Sequence, residues 1–123
     1  MANSHHLEIY RDAYRLNRDL FRLKAKLPKS LRYDLGESLT LSGLKALRWI
    51  VFANSLADKT KALENLALEL KYMMVLLRLN HDLQGLSHGE HQMLAETLNQ
   101  IAEQNSKWLL WARRQSKKQP VEK

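Results

Sequence analysis

The segment IYRDAYRLNRDLFRLKAKLP (residues 9–28) carries one apolar and one basic stripe, both at helical spacing. Its apolar residues recur at alternating steps of four and three: Ile9, Ala13, Leu16, Leu20, Leu23 and Leu27. This heptad pattern is typical of a helix that packs nearly parallel to its neighbours. The residue before a proline resists helical geometry, so Pro28 stops the helix. We therefore predict a first helix over residues 4–26.

The same periodicity predicts three further helices: residues 31–54, 58–83 and 87–112. Asp58 is a plausible cap for the third helix, and Gly85 is well placed to terminate it. Ser87 followed three residues later by Glu90 is a capping box for the fourth. Long helices joined by short connections predict an all-α fold, an antiparallel up-down-up-down four-helix bundle. We place this single domain at residues 4–114 and expect the polar, basic tail at 115–123 to be disordered.

The second helix is more apolar than one buried stripe requires. Leu41, Leu44, Leu47 and Val51 add a second apolar side, and a helix that is apolar on several sides is buried on several sides. In so small a domain this indicates burial by another subunit, that is, a homo-oligomer; its ring-like form is what the resemblance described below implies. The predicted oligomer or partner interface combines apolar and aromatic positions outside the core stripes: Tyr10, Tyr14, Phe21, Leu41, Leu44 and Trp111.

The composition narrows the classes of function. Twenty basic and 13 acidic residues give the 123-residue chain a net charge of +7, which favours polyanionic partners. Cysteine is absent, which excludes disulfides, thiol catalysis and cysteine-bound zinc and suits the cytoplasm. We see no signal peptide, and no segment has the roughly 18–20 apolar residues of a membrane span.

The basic stripe of the first segment is formed by Arg11, Arg15, Arg18 and Arg22, opposite the core stripe. The planar guanidinium grips phosphate in two places, and a neighbouring tyrosine ring can stack on bases. We predict nucleic-acid binding, RNA or DNA, at these residues: Arg11, Arg15, Arg18, Arg22, Lys26, Arg113, Arg114, Lys117 and Lys118. The alternative is a solvated outer face in which Asp12 pairs with Arg11 and Arg15.

Other kinds of site have weaker support in the sequence. Three histidines flank the connection between the third and fourth helices: His81, His88 and His91. No metal-binding motif accompanies them. Ser38, Thr40 and Ser42 lack a partner histidine and acid at a motif spacing. We therefore expect no cofactor, no metal and no catalytic residue, and we keep an enzyme as a third alternative. Binding of a basic helix to a membrane surface is a weaker alternative, because the apolar faces cover one another.

Three segments resemble a known group of four-helix proteins: LPKSLRYDLGESL (residues 27–39), KTKALENLALELKYMMVLLRLNHDLQGLS (residues 59–87) and KWLLWARR (residues 107–114). This group contains proteins encoded in intervening sequences of large ribosomal RNA and the accessory variability determinant (Avd) of diversity-generating retroelements. The chain is more similar to the Avd branch. The other branch has an asparagine-isoleucine-alanine-glutamate-glycine signature, and RWIVFANSLADK (residues 48–59) lacks it.

The resemblance, over about residues 10–114, implies a specific function. Avd-like proteins are four-helix protomers in a pentameric barrel with a basic surface, and they are not catalysts. They bind the reverse transcriptase of the retroelement and nucleic acid, and support error-prone copying of a template RNA. The alternatives are a ribosomal-RNA-associated bundle protein and a bundle that only mediates protein assembly.

Overall fold

Four long helices build the protein. The structure is a computed structural model that describes residues 3–118, and every regular element in that range is helical. The long helices are α1 (Asn3–Lys26), α2 (Glu37–Ser55), α3 (Thr60–Asp82) and α4 (His88–Lys118). Both α1 and α3 pack against α2 and α4, so the four helices enclose one core. This confirms the predicted all-helical bundle of four packed helices.

The core consists of the residues that the heptad pattern selected. All six apolar residues of the first stripe are buried, from Ile9 to Leu27. Full burial of a leucine or isoleucine side chain stabilises the fold by about 1.5–3 kcal/mol. The other helices contribute matching stripes: Leu39, Ala46, Ile50 and Ala53 on α2, Leu63, Leu66, Leu70, Met73 and Leu77 on α3, and Leu94, Leu98, Ile101 and Trp108 on α4.

The connection from α1 to α2 departs from the predicted regular helix. A short helical turn, Lys29–Leu31, leads into a π-helical turn, Arg32–Gly36, before α2 begins. Gly36 is buried, and a Cβ added to it would lie 2.8 Å from Leu27 Cδ1. The backbone therefore packs directly on the end of the α1 stripe, and the wider turn accommodates that contact.

A buried lysine closes the connection between α2 and α3. Only 9% of Lys59 is exposed, and its Nζ donates hydrogen bonds to the carbonyl oxygens of Ala53 (2.9 Å) and Leu56 (2.6 Å). Ala53 O also accepts a long hydrogen bond (3.3 Å) from the backbone N–H of Leu56. The lysine adds donors for carbonyls at the end of α2, where a cation is favoured. Asp58 accepts a hydrogen bond from the backbone N–H of Thr60, as its predicted capping role requires.

The α3–α4 connection combines two capping motifs. The backbone N–H of Gly85 donates to Asn80 O and that of Gln84 to His81 O, which is a Schellman arrangement. The left-handed residue is Gln84 (φ 65°), whereas the sequence favoured Gly85 as the terminator. Ser87 and Glu90 form the predicted capping box, with reciprocal hydrogen bonds of 2.9 and 3.1 Å.

The end of α4 corrects the predicted domain boundary. The helix continues to Lys118, so residues 115–118 of the supposedly disordered tail are helical. No proline or glycine interrupts this segment before Pro120, and Lys117 and Lys118 suit a helix C-terminus. The rest of the predicted tail, 119–123, lies outside the described residues.

The helices α1 and α2 approach each other closely at Gly43. Asn17 is buried, and its Nδ2 donates hydrogen bonds to Ala13 O (2.9 Å) on its own helix and to Gly43 O (3.0 Å) on α2. A Cβ added to Gly43 would lie 2.7 Å from Asn17 Oδ1 and 2.8 Å from Leu20 Cδ1. The two helices can approach this closely only because residue 43 has no side chain.

We expect Gly43→Ala to destabilise the protein by about 1–3 kcal/mol, because the added methyl group overpacks the α1–α2 contact. Gly89→Ala is the matched control, because a Cβ at this exposed position meets nothing within 4 Å. It should be neutral or stabilise by up to about 1 kcal/mol. Urea unfolding of both variants measures the difference, and equal stabilities would contradict the close packing at Gly43.

Candidate nucleic-acid interface

The four arginines Arg11, Arg15, Arg18 and Arg22, here called the arginine row, lie on the outer side of α1. All four are exposed, while the core stripe of the same helix is buried. The helical period places the row roughly opposite the core, as the sequence predicted. The guanidinium groups are therefore accessible to a ligand in the protomer.

One buried carboxylate faces the first half of the row. Asp12 Oδ1 lies 3.5 Å from Arg11 Nε and 3.3 Å from Arg15 Nη2. Gln104 Nε2 on α4 donates a 2.8 Å hydrogen bond to the other oxygen, and only 10% of the Asp12 side chain is exposed. The sequence placed Asp12 on an exposed flank, but it lies in the α1–α4 contact. One negative charge cannot neutralise two arginines, so this cluster keeps a net positive charge.

The second half of the row carries its charge without a direct partner. Within residues 3–118, neither Arg18 nor Arg22 forms an ion pair. Arg22 and Lys26 share a shallow depression with Asp19 and Glu90, so the end of the row near Lys26 has mixed charge. Arg18 is therefore the guanidinium of the row that is least compensated by carboxylates.

The basic residues at the end of α4 divide into two groups. Arg113 Nη2 lies 3.2 Å from Glu64 Oε2 on α3, so a carboxylate offsets its charge. Arg114 and Lys117 line a depression of about 390 Å³ together with Arg113, Thr60 and Ser116, and neither forms an ion pair within residues 3–118. Lys118 is exposed in the last turn. The start of α1 lies nearby, because the His5 and Trp111 ring centroids are 6.0 Å apart.

Two exposed tyrosines border the arginine row. Tyr10, Arg11, Tyr14 and Arg15 line a shallow groove of about 340 Å³. Phe21, also predicted as an interface residue, is exposed further along α1. Aromatic and cationic side chains therefore share one surface of this helix.

More apolar side chains are exposed on the second and third long helices than the sequence indicated. Leu41 and Leu44 are exposed as expected, but Trp111 is half-buried and packs against the core. The sequence analysis missed an exposed apolar row on α3, although its steps of four, three and four are helical. We call the combined surface the apolar face: Leu41, Leu44, Val51 and Phe52 on α2, and Leu68, Tyr72, Val75 and Leu79 on α3.

The three turn histidines lie close together. The His81 ring centroid is 4.7 Å from that of His91 and 5.9 Å from that of His88. Within residues 3–118, no three His, Asp or Glu side chains are placed to share a metal ion. Burial lowers the pKa of His91, and the positive charges of protonated His81 and His88 lower this pKa further, whereas Asp82 opposes the shift.

Comparisons with known proteins leave the family assignment open. No protein-family model matches the chain, and no curated protein matches it significantly. The resemblance to Avd therefore remains a prediction. No helix within residues 3–118 is both long and apolar enough to cross a bilayer.

We expect acidification to destabilise the fold through His91. Its pKa is lower in the folded protein than the usual 6.5, so the unfolded chain binds more protons in the window below 6.5. Above pH 6.5 the fold has all of the stability that neutral His91 provides. This stability is lost as the pH falls from 6.5 toward the lower pKa that His91 has in the folded protein. Melting temperatures measured from about pH 7.5 to 5.5 should therefore decrease, and His91→Gln should flatten the decrease.

His88→Gln removes one of the charges that repel protonated His91 while leaving His91 in place. It should flatten the pH dependence less than His91→Gln does. An unchanged slope in the His91 variant would show that other groups control the acid response.

Proposed function

We propose that this protein is a non-catalytic, homo-oligomeric accessory protein of a diversity-generating retroelement. In this role it binds template RNA or cDNA through its basic surfaces and supports the reverse transcriptase during mutagenic copying. The observation that carries the proposal is the exposed arginine row, which a single buried carboxylate compensates only in part. The partner polymerase and the cytoplasmic location come from the resemblance and the composition.

The nucleic-acid part of the proposal rests on charge. Four arginines within twelve residues of one helix, and a net charge of +7, create a positive surface on a small domain. Arginine–phosphate contacts are independent of sequence and release counterions, so binding is salt-dependent. Arg18 and Arg22 would provide the main phosphate contacts, since they have no ion-pair partner among the described residues. Arg113 would contribute less, because Glu64 pairs with it.

The assembly part of the proposal rests on the apolar face. Four exposed large apolar residues lie on each of the adjacent helices α2 and α3, and large exposed apolar surfaces on folded proteins mark interaction sites. The contact of His5 at the start of α1 with Trp111 near the end of α4 agrees with an antiparallel up-down-up-down order. We propose that copies associate through the apolar face into a ring, and the resemblance implies five of them.

Reversing the charge of Arg18 and Arg22, the arginines of the row that form no ion pair within residues 3–118, should weaken nucleic-acid binding. We expect Arg18→Glu/Arg22→Glu to lower the affinity for RNA and single-stranded DNA. The slope of log affinity against log salt should decrease by about 2, because two phosphate contacts are lost. Fluorescence anisotropy titrations at several salt concentrations measure both quantities.

A matched control separates the arginine row from net charge. Lys71→Glu/Lys107→Glu makes the same change in charge at exposed positions of α3 and α4. It should reduce the binding and the slope much less. If both double variants behave alike, charge anywhere on the protein suffices; if neither changes binding, the row is only a solvated surface and the proposed function fails.

Charges placed on the apolar face should dissociate the oligomer. We expect the wild type to have a mass of about five times 14.4 kDa, and Leu44→Glu/Val75→Glu to be monomeric. Burying two carboxylates in each subunit contact costs more than the contact provides. Native mass spectrometry measures the assembly, with Met93→Glu/Leu110→Glu as the control at exposed apolar positions of α4. A monomeric wild type would exclude the ring.

Co-purification tests the polymerase partner. The tagged protein should retain the reverse transcriptase encoded beside its gene after nuclease treatment, which removes bridging nucleic acid. Loss of the polymerase after this treatment would restrict the proposal to nucleic-acid binding.

A further inference from the structure

A single ridge on α1 changes from aromatic to cationic halfway along the helix. Residues four apart in an α-helix are neighbours on its surface. We call the following series the α1 ridge: His6, Tyr10, Tyr14, Arg18, Arg22 and Lys26. His6 is half-buried and the other five residues are exposed. At about 1.5 Å per residue, the ridge is roughly 30 Å long.

The aromatic half of the ridge is a ladder of rings. The His6 and Tyr10 ring centroids are 5.6 Å apart with an interplanar angle of 27°, so these rings stack. The Tyr10 and Tyr14 centroids are 6.2 Å apart at 41°. Tyr14 is the last residue of the ladder, and 53% of it is exposed. Arg18 follows Tyr14 one turn later on the ridge. A flat ligand can therefore stack on Tyr14 while an attached anion reaches Arg18.

We propose that the α1 ridge binds an unpaired polynucleotide strand. Bases stack on Tyr14 and Tyr10, and the phosphates that follow contact Arg18 and Arg22. This inference rests on the nucleic-acid role proposed above and adds the kind of nucleic acid that the surface selects. It also assigns Tyr10 and Tyr14 to the nucleic-acid surface, whereas the sequence analysis placed them in a protein interface.

Stacking is the feature that distinguishes a single strand from a duplex. A duplex has the higher charge density, so a surface that binds through arginines alone should bind duplex DNA at least as tightly. Bases inside a duplex are already paired and stacked, and their faces cannot reach the tyrosine rings. Aromatic side chains on a basic surface are the feature shared by proteins that bind single strands without sequence preference.

The charge beside the rings favours a polynucleotide over a protein partner. Arg11 and Arg15 line the same groove as Tyr10 and Tyr14, with Asp12 as their one ion-pair partner among residues 3–118. A protein interface over the rings would remove water from both guanidinium groups and would have to supply carboxylates. A phosphate chain supplies negative charge at every nucleotide. Because stacking and phosphate contacts use features common to RNA and DNA, single strands of both should bind alike.

The test compares strands of one sequence in different forms. Labelled RNA and DNA single strands of about 12 nucleotides, and the corresponding DNA duplex, are titrated with the full chain by fluorescence anisotropy. We expect both single strands to bind at least about 5-fold more tightly than the duplex, which corresponds to one stacked base.

Two pairs of tyrosine variants isolate the rings. Tyr10→Leu/Tyr14→Leu keeps apolar side chains but removes the rings, and it should weaken single-strand binding at least about 5-fold without changing the salt slope. Tyr10→Phe/Tyr14→Phe keeps the rings and should bind like the wild type. Circular dichroism and native mass spectrometry confirm that each variant keeps the fold and the mass of the wild type.

The outcomes separate this inference from the proposed function. If the duplex binds as tightly as the single strands and the leucine variant is unaffected, while Arg18→Glu/Arg22→Glu weakens binding, the stacking inference fails and the proposed function stands. If no nucleic acid binds the wild type, both fail. If the leucine variant changes the oligomeric mass and not the affinity, the rings belong to a subunit contact and the inference is overturned.

Discussion

The contact between Asn17 and Gly43 determines which side of α1 faces solvent. Asn17 is a buried polar residue of α1, and its amide group bridges Ala13 O on α1 to Gly43 O on α2. A buried polar side chain of this kind favours one alignment of the helices, because a shift would break its hydrogen bond to the other helix. With α1 held in this rotation, the arginine row has no neighbouring helix to cover it.

The periodicity of the sequence was sufficient for the helices and their core. Local chemistry, which can be read from the sequence alone, determines three features: the α1 stripe, the stop at Leu27-Pro28 and the Ser87–Glu90 capping box. The π-helical turn at Arg32–Gly36 was missed because it depends on how closely that backbone packs on Leu27. Likewise, a heptad pattern gives no information about Lys59, whose ammonium group reaches back to the end of α2.

The candidate site was predictable in position but not in its electrostatics. Helical spacing was enough to place the arginine row outside, because position on a helix follows from residue number. It could not show that Asp12 would be drawn inward by Gln104, which is 92 positions away in sequence. Nor could it show that Glu64 would pair with Arg113 from another helix. Charge compensation between helices depends on tertiary contacts. It favours Arg18 over Arg113 as a candidate phosphate ligand.

The apolar face and the α1 ridge lie on different helices, so the proposed assembly and the proposed nucleic-acid binding would use different side chains. If α2 and α3 join the copies, each subunit adds one α1 ridge to the particle. Several weak, salt-sensitive ridges on one particle then bind one long strand far more tightly than a single ridge does, because each further contact is intramolecular. A short strand that reaches one ridge gains none of this avidity, so affinity that increases steeply with strand length would indicate a shared particle surface.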